Sequence, residues 1–362
     1  MLSTDDIFLL SSELASDATF SRFLNDRLRA IHASPPYQDW LGTGAEAEPF
    51  ALPDVADLPP LERARLARSG RLLAKLNRTE AGIFLTDGVW IEPRVRVFPF
   101  CDESVALVGF VRKTGLAGWA DWTLDLATGC GVNAMALGGH RVAFDINPRA
   151  LAYATVNRTL NGISGEDCVF ALNDIHDGIP KAVGSNLEGR VLILANMPFG
   201  PAPSPDALPL TSNGGESGAD LQIAAYRAIE RFVQSANGRF SVRACLMGLS
   251  VGDHVANRWD IVERAIAHFG ADRVKWHLLS EEHVFRIDGV RQFVNPAPVA
   301  IAMPGLASCR LYTPDESERI AKVAAFTNLA RRHEARGNPD IAYGIVEITD
   351  ASFTLATRGS VL

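Results

Sequence analysis

Thr123-Leu-Asp-Leu-Ala-Thr-Gly-Cys-Gly-Val-Asn-Ala-Met-Ala-Leu137 decides the fold of this chain. An apolar strand from Trp122 to Leu126 runs into Gly129-Cys-Gly131, and a helix-forming run starts near Val132. Glycines there let the backbone turn sharply and approach a ligand closely. Working outward, Val142-Ala-Phe-Asp-Ile-Asn-Pro148 reads as a second strand that ends on Asp145, 16 positions after Gly129. A helix follows from Pro148, with Gly162 at its end. A third strand at Cys168–Ala171 leads to Asn173-Asp174, and a fourth, Arg190-Val-Leu-Ile-Leu-Ala195, delivers Asn196-Met-Pro-Phe199. That fourth run is apolar throughout, as expected of a strand covered by helices on both faces. Strands alternating with helices predict a mostly parallel α/β sheet.

Crevices in such sheets open at the carboxyl ends of the strands, so Gly129, Asp145, Asn196 and Phe199 should share one. Gly129-x-Gly131-x-x-Ala134 also satisfies the dinucleotide fingerprint, and equally fits a plain strand-to-helix turn. Asp125 argues against a dinucleotide, because a carboxylate just ahead of the glycines repels a pyrophosphate and suits a cation. Asp145 at a strand end can accept hydrogen bonds from two ribose hydroxyls, or cap the following helix. Asp174 can accept from an adenine amino group, or serve a turn. The side-chain oxygen of Asn196 and the carbonyl of Met197 can hold an amino group while Phe199 stacks on a planar neighbour; Asn and Pro also simply favour turns.

In combination these segments resemble the small-domain class I S-adenosylmethionine-dependent methyltransferases, and within them the release-factor glutamine methyltransferases and relatives with an Asn-Pro-Pro-Tyr/Phe signature. Val97-Phe-Pro-Phe-Cys-Asp-Glu-Ser104 resembles the segment ahead of that group's first helix, Asp145-Ile-Asn-Pro-Arg-Ala-Leu151 its second motif, and Asn213-Gly-Gly-Glu-Ser-Gly-Ala-Asp220 its glycine-rich segment after the catalytic strand. The match runs from about Arg94 to Leu249. It implies a Rossmann-like sheet of seven strands with the last antiparallel, and S-adenosylmethionine as cofactor. Asp125, Ala127, Thr128, Gly129, Gly131, Asp145, Ile146, Asn173, Asp174 and Asn196 would bind it, and Asn196, Met197, Pro198 and Phe199 would serve catalysis. Two positions depart: Ala127 replaces the first glycine, and Met197 replaces the first proline of the signature, giving that loop an N–H and more freedom. The second change leaves the acceptor open between a nitrogen of a small molecule or protein side chain and an oxygen. Readings from other classes are an NAD-dependent oxidoreductase and a non-catalytic partner retaining the fold.

The chain has 362 residues, 47% of them hydrophobic, enough for one large core and a smaller unit. A net charge of −7 disfavours a dedicated nucleic-acid binder. Five scattered cysteines with no Cys-x-x-Cys spacing suggest neither a disulfide framework nor zinc, and no metal is expected. No apolar run approaches the ~20 residues that span a membrane, and the start lacks a signal-peptide pattern. A cytoplasmic enzyme with a small-molecule or protein acceptor is expected, its oligomeric state open and a homodimer included.

Residues 1–93 read as a mainly helical, substrate-selecting accessory domain ahead of a methyltransferase domain at 94–362. It comprises two amphipathic helices within 4–33, a Pro-rich break at Ser34–Pro60, a helix at about Leu61–Asn77, and a hairpin of Gly82–Leu85 with Gly88–Glu92. Arg63, Arg65, Arg68, Arg71, Lys75 and Arg78 suggest a solvated helix face, or else a site for an acidic substrate or RNA. Pro201–Ala219 reads as a lid or clamp. Beyond it come a strand at Phe240–Leu249, a helix at Val255–Phe269, a strand at Arg273–Leu279, an insertion carrying His283, Arg286 and Arg291, a helix at about Glu316–Arg336 and a last strand at Ala342–Ile348. His283, beside Glu281 and Glu282, is either an exposed polar turn or a base.

Overall fold

The computed structural model describes residues 75–79, 82–87, 97, 102–185, 187–208, 210–236, 238–279, 284–287 and 316–349. In chain order these are β1 (Lys75–Thr79), β2 (Gly82–Thr86), α1 (Asp102–Lys113), α2 (Leu116–Trp119), β3 (Trp122–Asp125), α3 (Val132–Met135), β4 (His140–Asp145), α4 (Pro148–Leu160) and β5 (Cys168–Leu172). After a 3-10 turn at Ile175–Asp177 come α5 (Lys181–Ser185), β6 (Gly189–Asn196), α6 (Asp220–Ala236), β7 (Phe240–Asp253), β8 (Arg258–Trp259), α7 (Asp260–Phe269), β9 (Val274–Leu278), β10 (Val284–Arg286), α8 (Glu316–Ala335) and β11 (Asp340–Ile348).

The main sheet is mixed, with the order β10-β11-β7-β6-β3-β4-β5. Strands β3 to β7 pair in parallel, and β11 runs antiparallel to β7, β9 and β10. All seven expected strands are present, but among the described residues the sheet holds nine rather than seven, because β8 and β10 add short pairings. The antiparallel edge is as expected.

The apolar run of β6 explains the layering. Val191, Ile193 and Ala195 pack with α6 and α7, while Leu192 and Leu194 pack with Leu107 and Val111 of α1. Successive side chains of a strand point to opposite faces, so a strand buried on both must be apolar at every step. A third core joins α8 (Phe326, Leu329, Ala330) to Leu249, Val251, Ile341 and Tyr343 of the sheet and to Ala202, Ala207 and Leu208 of the loop after β6.

Two expectations are corrected. Lys75–Asn77 lies in a strand rather than a helix, so Lys75 and Arg78 do not continue a helical face. Gly82–Thr86 pairs antiparallel with Lys75–Thr79, and glycine tolerates the φ of 139° at Gly82; the partner expected for it, Gly88–Glu92, lies outside the described residues. The helix expected from Val255 begins at Asp260, because β7 continues to Asp253 and turns back through β8. The helices within 4–33, the Pro-rich break, Arg63 to Arg71, the 93/94 boundary, Glu281 to His283 and Arg291 lie outside the described residues.

The hairpin is anchored on α4. The Asp87 carboxylate, fully buried, pairs with the Arg149 guanidinium and accepts from Tyr153 Oη at 2.9 Å and from the Val97 amide at 2.8 Å. Asn157 Oδ1 accepts from the Leu85 amide at 2.7 Å, and its Nδ2 donates to the carbonyls of Leu85 and Cys130. One helix thereby holds the hairpin and the glycine loop together.

Candidate active site

A cavity of about 250 Å³ opens at the carboxyl ends of β3, β4, β5 and β6. Ala127 and Gly129 line it from the first loop, Asp145 and Ile146 from the second, Asn173 and Asp174 from the third, and Asn196, Met197 and Pro198 from the fourth. These residues come from four separate segments, and parallel pairing of the strands brings their ends to one edge.

Gly129 has φ 53°, and a Cβ there would meet no atom within 4 Å, so its outer side is open space beside the cavity. Its amide donates to Asp145 Oδ2 at 2.8 Å, while Asp145 Oδ1 accepts from the Asn147 amide at 2.9 Å. The acid thus ties two loops together and still faces the cavity. Burial pushes its pKa up, and the amides of Asn147, Gly129 and Ile146 oppose that shift. Capping of α4 falls to Asn147, whose side chain accepts from the Arg149 amide. Ile146 is 53% exposed, an unusual apolar face at the cavity.

Asp174 accepts from the amide and Nδ1 of His176 through Oδ1, at 2.9 and 2.8 Å, which caps the turn at Ile175–Asp177 and lowers its pKa. Turn chemistry and a place on the cavity wall therefore coexist at this residue. Asn173 is similarly tied, donating to the carbonyls of Asp174 and Gly178.

Asn196 Nδ2 donates to Ser104 Oγ, in the first turn of α1, at 3.0 Å. That bond leaves Oδ1 as the open acceptor of the amide.

Four expected site residues lie off this cavity. Asp125 is completely buried behind it with neither oxygen hydrogen-bonded. Burial raises its pKa to about 7; the nearby Thr128 hydroxyl and the Ala134 and Ala127 amides oppose the shift without reaching hydrogen-bond geometry, and Asp145 adds to it. Thr128 is buried, its amide donating to the Phe144 carbonyl. Gly131 (φ 89°) is a packing glycine: a Cβ would collide with Met135 Cε and press on Ala154. The Phe199 ring meets Tyr343 edge-on at 5.7 Å and packs against the cores rather than lining this cavity.

Sequence reading missed Val97, His176, Leu210, Thr211 and Leu221 on the cavity wall. Leu210 and Thr211 belong to the loop expected to act as a clamp, and Leu210 is 52% exposed. The insertion's Arg286 is engaged away from the cavity by Asp340 and Glu334.

No family model matches the chain, and no curated protein does. Solved structures do. A putative sarcosine dimethylglycine methyltransferase from Galdieria sulphuraria is similar at 10% identity and TM-score 0.37, over 69% of this chain and 85% of that one. Coclaurine N-methyltransferase bound to N-methylheliamine and SAH is similar at 11% identity and TM-score 0.34, over 68% and 72%. The [4+2]-cyclase SpnF is similar at 10% and 0.32, over 67% and 80%. At these values function has to be argued from the site.

Proposed function

We propose that this protein transfers a methyl group from S-adenosylmethionine to a nitrogen of a small molecule or a protein side chain, as a variant of the group with the Asn-Pro-Pro-Tyr/Phe signature. The observation that carries this reading is Asp125, a fully buried carboxylate without a hydrogen bond, directly behind a glycine loop and beside the strand that ends on Asn196. An unpaired buried carboxylate is costly and calls for a cation. The sulfonium donor carries an ammonium group; a dinucleotide would bring a pyrophosphate, which Asp125 repels.

When bound, the donor supplies an electrophilic methyl group on a positively charged sulfur. Asp145 offers carboxylate lone pairs to a diol, Ile146 an apolar face to a planar base, and Gly129 the room for close approach. Asn196 Oδ1, held by Ser104, accepts from an acceptor N–H and aims the nitrogen lone pair. An accepting amide oxygen suits nitrogen better than a hydroxyl, which would need a base to take its proton. Acceptor selection is assigned to the Leu210-Thr211 loop, with residues 1–93 as an accessory unit whose hairpin braces α4.

Calorimetry with S-adenosylhomocysteine against NAD tests the donor, and mass spectrometry of candidate acceptors for a gained methyl tests the transfer. Binding of NAD but not S-adenosylhomocysteine would overturn the reading. S-adenosylhomocysteine binding with no methyl transferred to any acceptor would leave a non-catalytic partner.

A further inference from the structure

The sheet face under α1 gathers more unsatisfied oxygens than Asp125 supplies. On β6, Leu192 and Leu194 point to α1, and Asn196, two residues further along, does the same through its bond to Ser104. On β3, Leu124 and Leu126 point to the opposite core, so Asp125 between them faces α1; it pairs in register with Leu194. The Ser104–Asn196 bond therefore seats the first turn of α1 over the ends of β3 and β6.

Glu103 occupies that same turn. It is 3% exposed, and neither carboxylate oxygen has a hydrogen-bond partner. Thr128 Oγ1, after β3, and Asn133 Oδ1, in α3, are also buried without partners. Helix α3 is drawn to α1 by the Arg112 guanidinium on the Ala136 carbonyl at 2.7 Å, and Leu107 and Leu137 share a core. Two carboxylates, an amide oxygen and a hydroxyl, from α1, β3, α3 and the loop after β3, thus lie buried without a hydrogen-bond partner. Burying one unpaired carboxylate is unfavourable and burying two on the same face more so, unless a ligand supplies both positive charge and several N–H donors. An ammonium group supplies three such donors.

Resting on the donor reading above, we propose that Glu103 is a second carboxylate for the ammonium group of the methyl donor, closing with Asp125 a two-carboxylate receptor from the α1 side. It is a binding residue, contributed by a segment outside the glycine and Asp145 motifs.

The test compares two ligands on the full chain by calorimetry: S-adenosylhomocysteine, which has the ammonium, and 5′-methylthioadenosine, which keeps the adenosine and thioether but lacks the amino-acid end. Glu103→Gln should weaken S-adenosylhomocysteine by at least about tenfold, the loss of one charge-assisted bond, and change 5′-methylthioadenosine by less than about twofold. Thermal melts of the unliganded protein should show the variant at least as stable as wild type, since a buried carboxyl group without a hydrogen-bond partner is gone; Glu103→Met serves should the Gln variant not fold. Equal losses for both ligands, or none for either, overturn the proposal. So does unchanged donor affinity with a raised KM for the acceptor, which would hand Glu103 to the acceptor. If wild type binds neither ligand, the donor reading itself fails; if wild type binds both and the variant behaves identically, only the role of Glu103 falls.

Discussion

At the scale of the residue, Asp125 should make binding of the proposed donor depend on pH. Its pKa of about 7 in the folded chain means that near neutrality about half the molecules hold it protonated, and a cation needs it ionised. Affinity for S-adenosylhomocysteine should rise as pH increases from 6 to 8, by up to about tenfold per unit below pH 7, and Asp125→Asn should flatten that slope in calorimetry. Stability runs the other way. The folded pKa lies above the unfolded value near 3.8, so between about pH 4 and 7 the native state binds more protons, and stability falls as pH rises through that window. Asp145 holds both the Gly129 and Asn147 amides, so Asp145→Ala should weaken donor binding by roughly 2–3 kcal/mol and also lower the melting temperature. Asn196→Ala should leave donor affinity within a few-fold and cut kcat by at least about a hundredfold. A kcat that holds while donor binding collapses would move Asn196 into the donor pocket.

At the scale of the element, the short α3 and the longer α4 pack closely because Gly131 has no side chain. Gly131→Ala adds a Cβ at φ 89° against Met135 and Ala154, and should cost about 1–3 kcal/mol in urea unfolding. The brace between β2 and α4 is a buried ion pair with further hydrogen bonds, so losing one partner leaves the other charge stranded. Asp87→Ala should destabilise by about 3–5 kcal/mol, read as earlier thermal unfolding.

At the scale of the whole molecule, the proposed donor and acceptor sides rest on different cores. The first two cores clamp β3 and β6 beneath the glycine loop, whereas the third joins α8 to the loop after β6 that carries Leu210 and Thr211. Glu216 in that loop pairs with Arg332 of α8 and with Arg336 just beyond its end, and its backbone carbonyl lies 2.9 Å from Nε2 of His333 on α8. Phe326→Ala should therefore open a cavity costing about 3–5 kcal/mol and raise the acceptor KM while S-adenosylhomocysteine affinity changes little. A loss confined to donor affinity would show that the third core supports the donor side instead.

Local chemistry alone determined the parallel core of this protein. The apolar run of β6 has to lie between two layers, Gly129 and Gly131 have to turn a strand into a helix, and Asp145 and Asn196 have to end strands, because each is a matter of side-chain period or backbone freedom within a few residues. Long-range packing decided the rest. Nothing near Asp87 in the chain announces Arg149 and Tyr153, and nothing near Ser104 announces Asn196, since those partners meet only when α4 and α1 dock. The Phe199 ring turned to Tyr343 for the same reason: a half-buried aromatic takes the apolar surface that docking supplies, and that surface arrives with β11, far along the chain. The unsatisfied carboxylates are likewise a property of the assembled sheet face, as only folding removes Glu103 and Asp125 together from water.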